Sequence, residues 1–293
     1  MSLPSLPIFR FAPSPNGRLH LGHAYSALYT DHWARAMGGT MLLRIEDIDI
    51  GRCRPEFVEA IFDDLRWLGL DWPQPVRFQS HHFDDYQGAF ARLKARDLVY
   101  PCFCTRAQIR AAGGSGTDPD GAPLYPGTCR HLAPEERERR FAAGERAQWR
   151  LDIEAALRVA AHPAIREAMP DPDSRPASRA ADPARWGDVV LVRKDIPTSY
   201  HLSVVVDDAL QGVGHVTRGM DLYAATDIHV LLQGLLGLPP PLYTHHRLVL
   251  DRDADKLSKS RRSESLGDLR EKGWSAAAVR HHLGFEEASP RFT

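Results

Sequence analysis

Apolar and polar positions alternate between two periods over the first hundred residues. Ile8-Phe9-Arg10-Phe11 reads as a strand, broken by Pro13, Pro15 and Gly17. A helix is predicted from about Gly22 to Met37, with Leu21, Ala24, Leu28 and Trp33 among its apolar positions, and Gly38-Gly39 ends it. Thr40 to Ile45 is a second strand. Pro55 opens a second helix whose apolar set is Phe57, Val58, Ile61, Leu65 and Leu68, a match to the 3.6 period. A short strand, Val76 to Gln79, precedes a helix from about Phe83 to Arg96. Strand and helix in alternation predict a parallel sheet with helical crossovers.

That rhythm stops at Pro101. Residues 101–130 carry a cysteine cluster and a Gly-, Asp- and Pro-rich loop, Gly113 to Pro123. Residues 163–185 read as a mobile connection. Val189–Arg193 and Leu202–Asp207 read as paired strands around a turn at Ile196-Pro197-Thr198. A helix follows from about Ala224 to Leu236, an extended segment from Leu242 to Leu250, and a polar helical end. No repeat or low-complexity tract is visible. The organisation predicted is a doubly wound α/β core interrupted by an insertion near residues 101–190.

Composition narrows the class. The chain has 293 residues, 37 Lys+Arg against 38 Asp+Glu, 43% hydrophobic and 26% charged residues. This is globular usage, which excludes collagen-like, disordered and disulfide-scaffold classes. A net charge of −1 argues against a generally basic nucleic-acid binder but permits local basic patches. No apolar run approaches the roughly 20 residues of a membrane-spanning helix, and the first ten residues do not read as a signal peptide. A cytosolic location with no membrane contact is expected. Cys102, Cys104 and Cys129 share one segment, which in a reducing compartment points to metal before disulfide; Cys53 stands apart.

Two segments carry phosphate chemistry. Arg10-Phe11-Ala12-Pro13-Ser14-Pro15-Asn16-Gly17-Arg18-Leu19-His20-Leu21-Gly22-His23 spans the end of the first strand and the start of the first helix. Ligands of open α/β sheets bind beyond the carboxyl ends of strands. A helix N-terminus there offers free N–H groups to phosphate, and Gly17 and Gly22 allow close approach. Taken alone, the segment is equally a turn bearing two surface histidines. Lys256-Leu257-Ser258-Lys259-Ser260 offers two mobile cations; taken alone, it is a solvated basic loop.

Together the two resemble class I aminoacyl-tRNA synthetases, which carry a His-x-Gly-His signature and a Lys-x-Ser-Lys-Ser loop on a Rossmann-like domain. Arg10-Phe11-Ala12-Pro13-Ser14-Pro15 and Arg44-Ile45-Glu46-Asp47 are similar to motifs of the glutamyl branch. The resemblance covers about residues 8–262. It implies that Arg10, Ala12 and Ser14 line a glutamate pocket, that Glu46 accepts the α-ammonium, and that Tyr200 and Arg218 complete the pocket. Glu46 is otherwise half of an ion pair with Arg44 or Arg52. The resemblance further implies that His20, Gly22, His23 and Lys259 bind ATP, with Mg²⁺. His20, His23, Lys256 and Lys259 are the implied catalytic set. No protein nucleophile is required.

Cys-x-Cys followed by a third cysteine 25 residues on lacks one donor for a tetrahedral zinc site. From the residues, Tyr125 and His131 both stand as the fourth ligand. The resemblance favours Cys102, Cys104, Tyr125 and Cys129, because a related short group has Cys-x-Cys followed by Tyr-x₃-Cys. The zinc would be structural, one per chain.

After Ser260 only 33 residues remain. Such brevity is typical of glutamyl-Q tRNA(Asp) synthetases, which resemble the catalytic half of glutamyl-tRNA synthetase but glutamylate queuosine in the anticodon of tRNA(Asp). The expected organisation is a Rossmann-like core (1–100 and 195–262), an inserted zinc-containing acceptor-type subdomain (101–194) and a short helical tail (263–293) with no anticodon-binding domain. A monomer acting on ATP, L-glutamate and queuosine-bearing tRNA(Asp) follows from the resemblance. The alternatives are a minimal glutamyl-tRNA synthetase charging tRNA(Glu) and a non-catalytic glutamate- or adenylate-binding paralogue. Residues 256–282 hold seven Lys/Arg against three Asp/Glu, a local surface for RNA. Arg130, Arg137, Arg139, Arg140 and Arg146 form a second basic run, better read as a solvated helix face.

Overall fold

The computed structural model describes residues 6–112, 116–161, 163–169, 171, 173, 175–249 and 264–285. The first half follows the predicted alternation. It contains β1 (Ile8–Phe11), α1 (Leu21–Ala36), β2 (Thr40–Ile45), α2 (Pro55–Trp67), β3 (Arg77–Phe78) and α3 (Phe83–Lys94). β1 pairs with β2 and β2 with β3, all parallel. Pro55 sits in the first turn of α2, where its missing N–H costs nothing. Phe9, Met41, Leu43, Ile61 and Leu65 are buried between this sheet and its helices. Each such side chain contributes about 1.5–3 kcal/mol by leaving water.

The insertion begins with β4 (Val99–Cys102) and α4 (Arg106–Ala111), then α5 (Pro134–Ala142), β5 (Gln148–Leu151) and α6 (Ile153–Val159). The segment 163–185, read from sequence as a mobile connection, instead holds a hairpin of β6 (Ala164–Glu167) and β7 (Ala177–Ala180). Its Pro, Ala and Arg composition hid the pairing. β8 (Val190–Val192) closes an antiparallel sheet β4-β5-β8, the body of the insertion. The hairpin does not join that sheet. It extends the sheet of the second half, β6 pairing parallel to a later strand at Tyr243.

The second half has α7 (Tyr200–Leu210), β9 (His215–Gly219), α8 (Thr226–Leu236) and β10 (Leu242–His246). The predicted strand Leu202–Asp207 is therefore wrong: those residues lie inside α7. Val204-Val205-Val206 favours a strand by β-branching. Every residue from Leu202 to Asp208 is buried in the helix, so no polar face betrays the 3.6 period. The backbone N–H of Gly214 donates to Ile8 O (3.0 Å), joining the two sheets beside β1. The combined order β3-β2-β1-β9-β10-β6-β7 contains the doubly wound arrangement, with the strand order reversing between β1 and β9.

α9 (Leu266–Glu271) and α10 (Ala276–Leu283) return to the first half. Leu266, Leu269, Val279 and Leu283 pack into its core. The N–H of Leu266 donates to Leu19 O (2.8 Å), bracing the loop before α1. No helix among the described residues is long and apolar enough to cross a membrane.

Candidate active site

A cleft of about 420 Å³ opens at the carboxyl ends of β1 and β9, where the strand order reverses. Arg10, Ala12, Ser14, His20, Gly22, His23, Glu46, Tyr200 and Arg218 all line it. The fold thus gathers residues spread over more than two hundred positions.

The phosphate-side wall is the start of α1. His20 is its N-cap: its Nδ1 accepts from Gly22 N (3.1 Å), and His23 Nδ1 accepts from His20 N (3.2 Å). The two imidazoles lie 3.9 Å apart, centroid to centroid. These contacts hold both rings at the helix end, where the dipole favours an anion. A Cβ at Gly22 would stand 2.9 Å from His20 Cε1, so any side chain there has to push the His20 ring aside. Lys256 and Lys259 lie outside the described residues.

The opposite wall is cationic. Arg10 is buried, its Nε donating to Asp208 (3.1 Å) and Nη1 to Thr217 O (3.2 Å). Arg44, fully buried, lies 2.8 Å from the same Asp208 carboxylate and 3.3 Å from Glu46. Burial would raise the Asp208 pKa, but the two guanidiniums outweigh it and lower the pKa below the usual range. Glu46 goes the other way: burial outweighs Arg44 and raises it. The Arg44 pairing considered from sequence exists, yet Glu46 still lines the cleft. Ser14 Oγ donates to Glu46 O (2.9 Å), fixing that backbone.

Arg218 is held differently. Its Nη1 contacts His229 Nδ1 (2.9 Å), its Nε donates to His245 Nε2 (3.3 Å) and its Nη2 to Thr226 Oγ1. His229 Nε2 lies 3.2 Å from His201 Nδ1. Burial first, then Arg218, lowers all three imidazoles: His201 to about 4, His245 to about 3, His229 well below normal. They are neutral near pH 7, so among the described residues the hydrogen-bond acceptors of Arg218 carry no charge. Tyr200, at the start of α7, packs on His229 with ring centroids 5.5 Å apart.

Asp207 also stands 3.7 Å from Arg44 Nε. Sequence reasoning missed Asp207, Asp208, His229 and His245 as supports of the site. Two adjacent acids in the apolar run Val204-Val205-Val206-Asp207-Asp208 were the available signal.

In the insertion, the sulfurs of Cys102, Cys104 and Cys129 lie within 4.8 Å of one another. The Tyr125 hydroxyl is 3.7 Å from Cys104 Sγ and accepts from Cys129 N (2.8 Å). His131 is exposed and is not gathered with the thiols. Burial would raise the Cys102 thiol, but hydrogen bonds from Tyr125 and Arg150 outweigh it and bring it down to about 7. Burial, with the neighbouring thiols, raises Cys104 to about 11. The grouping of three sulfurs fits zinc, which binds thiolate at about 2.3 Å. Three arginines of the second basic run make ion pairs: Arg130 with Asp188 (2.7 Å) and Glu154 (2.6 Å), Arg139 with Glu136 (2.8 Å), Arg140 with Glu145 (2.7 Å). Arg137 and Arg146 donate to the backbone carbonyls of Arg130 and Lys194.

Residues 8–286 match the family described as tRNA synthetases class I (E and Q), catalytic domain. The chain belongs to that family. It is an α/β class I synthetase catalytic domain. Among curated relatives, it is 45% identical over 289 residues to a glutamyl-Q tRNA(Asp) synthetase of Rhodobacter capsulatus, covering 94% of this chain and 99% of that one. A protein of the same name from Symbiobacterium thermophilum is 42% identical, covering 94% and 85%. Among solved structures, a glutamate tRNA ligase of Elizabethkingia meningosepticum in complex with its amino acid matches with TM-score 0.67 and 28% identity, over 87% of this chain. This synthetase chain spans about half, 52%, of that ligase.

Proposed function

We propose that the protein activates L-glutamate with ATP and transfers the glutamyl group to queuosine in the anticodon of tRNA(Asp). The observation that carries the reading is the 45% identity to a glutamyl-Q tRNA(Asp) synthetase over 94% of the chain. The cleft supports it. Arg10 and Arg218 present guanidinium forks to substrate carboxylate, Glu46 accepts the α-ammonium, and Ala12, Ser14 and Tyr200 complete the pocket. His20, Gly22 and His23 face the phosphates, with Lys256 and Lys259 assigned there by the sequence motif.

The substrate α-carboxylate attacks the α-phosphorus of ATP, pyrophosphate leaves, and a hydroxyl on the RNA then takes the acyl group. The protein's work is positioning and stabilising charge. Mg²⁺ accompanies ATP. Cys102, Cys104, Cys129 and Tyr125 would hold one structural zinc, which would stiffen the insertion against RNA. The enzyme acts as a cytoplasmic monomer in this reading.

The likeness to a glutamate tRNA ligase supports a second reading, charging of tRNA(Glu). One experiment separates them: glutamylation of tRNA(Asp) with and without queuosine, beside tRNA(Glu). The first reading requires label only on the queuosine-bearing tRNA(Asp). Equal labelling of unmodified tRNA(Asp), or labelling of tRNA(Glu), rejects it.

A further inference from the structure

A second chamber, of about 380 Å³, lies in the insertion and ends against α7 at His201. Among the described residues its wall shares none with the main cleft. The two cavities are separated at α7, where Tyr200 lines the cleft and His201 the chamber. The size suits a small molecule. Arg106 and Arg110, one turn apart on α4, line the chamber; both are exposed and make no ion pair among the described residues. Arg150 lines it from β5 and is only 8% exposed. Its Nη1 donates to Asp188 O (2.7 Å), its Nε has no hydrogen-bond partner, and no carboxylate pairs with it among the described residues. The Asp188 carboxylate is taken instead by Arg130 (2.7 Å) and Tyr100. Asp118 and Asp120 also line the chamber. With Asp188 already paired, three guanidiniums face two carboxylates, which favours an occupant of net negative charge.

His201 connects this chamber to the cleft. Arg218 has only donors, so His229 Nδ1 accepts from it (2.9 Å). Both imidazoles are neutral, which puts the His229 proton on Nε2. That N–H donates to His201 Nδ1 (3.2 Å). The His201 proton is then on Nε2, which has no hydrogen-bond partner among the described residues. The chain therefore runs one way, from Arg218 through His229 to His201, and ends on an N–H of a chamber-lining ring. A carboxylate that accepts from that N–H polarises both rings toward Arg218. His229 Nδ1 becomes a stronger acceptor and offsets part of the Arg218 charge. The consequence for substrate rests on the reading of Arg218 as part of the glutamate pocket.

We propose that the chamber is a second site, for a small amino dicarboxylate, and that its occupant weakens glutamate binding in the main cleft. One carboxylate meets His201 and Arg150, the other meets Arg106 and Arg110, and the ammonium meets Asp118 and Asp120. Two acids in the wall disfavour a polyanion such as RNA. Two sources share the favoured chemistry: a second molecule of glutamate, and aspartate. The test compares the full chain with the double variant Arg106→Ala/Arg110→Ala in glutamate-dependent ATP–pyrophosphate exchange, with and without L-aspartate. In the wild type, L-aspartate should raise the KM for glutamate to a plateau at least about fivefold higher, with kcat unchanged. The double variant should keep the basal KM and kcat and lose that rise. If glutamate is itself an occupant, the wild-type rate curve without aspartate has a Hill coefficient below unity, and the variant's is hyperbolic. Wild-type curves that are hyperbolic and indifferent to aspartate overturn the site. So does a rise without plateau that persists in the double variant, which is competition in the main cleft. A double variant changed only in its KM for tRNA makes the chamber an RNA contact and also overturns it. Should the wild type show no glutamate-dependent exchange, the functional reading fails. Calorimetric titration of L-aspartate into the two proteins then still decides the site: heat lost in the variant supports it, and equal or absent heat rejects it.

Discussion

Arg218 and His229 share a hydrogen bond of 2.9 Å in which a buried cation is met by a neutral imidazole. Arg10 makes the contrasting choice, pairing with Asp208. The Arg10 charge meets a carboxylate of the protein, whereas the hydrogen-bond acceptors of Arg218 among the described residues are neutral.

That contrast predicts the effect of His229→Asp. A carboxylate at this position neutralises Arg218. The KM for glutamate in ATP–pyrophosphate exchange should rise at least about tenfold, with the KM for ATP nearly unchanged. His229→Gln, whose amide oxygen still accepts, should stay within a few-fold of wild type. Equal glutamate KM in the Asp variant and wild type would refute the role given to the neutral imidazole.

Asp208 serves two buried guanidiniums, Arg10 and Arg44. Asp208→Asn leaves both undercompensated in a dry site. A loss of about 3–5 kcal/mol in stability is expected, read from the urea midpoint. A shift below about 1 kcal/mol would mean that Asp207 and Glu46 suffice.

Acid should unfold the protein through its buried histidines. His201 and His245 have folded pKa values of about 4 and about 3, below the roughly 6.5 of an unfolded histidine. Between those limits the unfolded chain binds more protons, so stability falls as pH drops from about 6.5 toward 4. Each such group contributes up to about 1.4 kcal/mol per pH unit. His245→Asn should flatten the pH dependence of the melting temperature over this window; an unchanged slope would exclude His245 as a source.

Purified protein should contain one zinc per chain by elemental analysis. Cys129→Ser should lower that content and the melting temperature together, since metal binding to a folded site is folding free energy. Full melting temperature in zinc-free protein would rule out a structural role.

Gly22→Ala tests the wall at α1. The added Cβ displaces His20, which caps the helix. Adenylate formation should fall by about tenfold or more while the melting temperature moves little. Wild-type exchange rates would show that the ring's position is unimportant.

Much of this was legible from sequence for a physical reason. Short-range periodicity sets α2, because it buries one stripe and leaves the other face polar. The family resemblance marks Arg10, His20, His23 and Glu46, and spacing marks the cysteines, because thiolates that share a metal must lie close together. Where burial is complete, periodicity vanishes, and α7 was misread as a strand. Proline- and alanine-rich composition hid the β6–β7 hairpin, whose pairing is decided by the distant edge of β10. Only the tertiary structure could supply the rest. Arg10 and Arg44 converge on the Asp208 carboxylate, and Arg218 finds neutral partners from α8 and β10. The His131 alternative falls away from the thiols while Tyr125 joins them. Those outcomes depend on which buried charges face each other across a packed core, a relation no local pattern encodes.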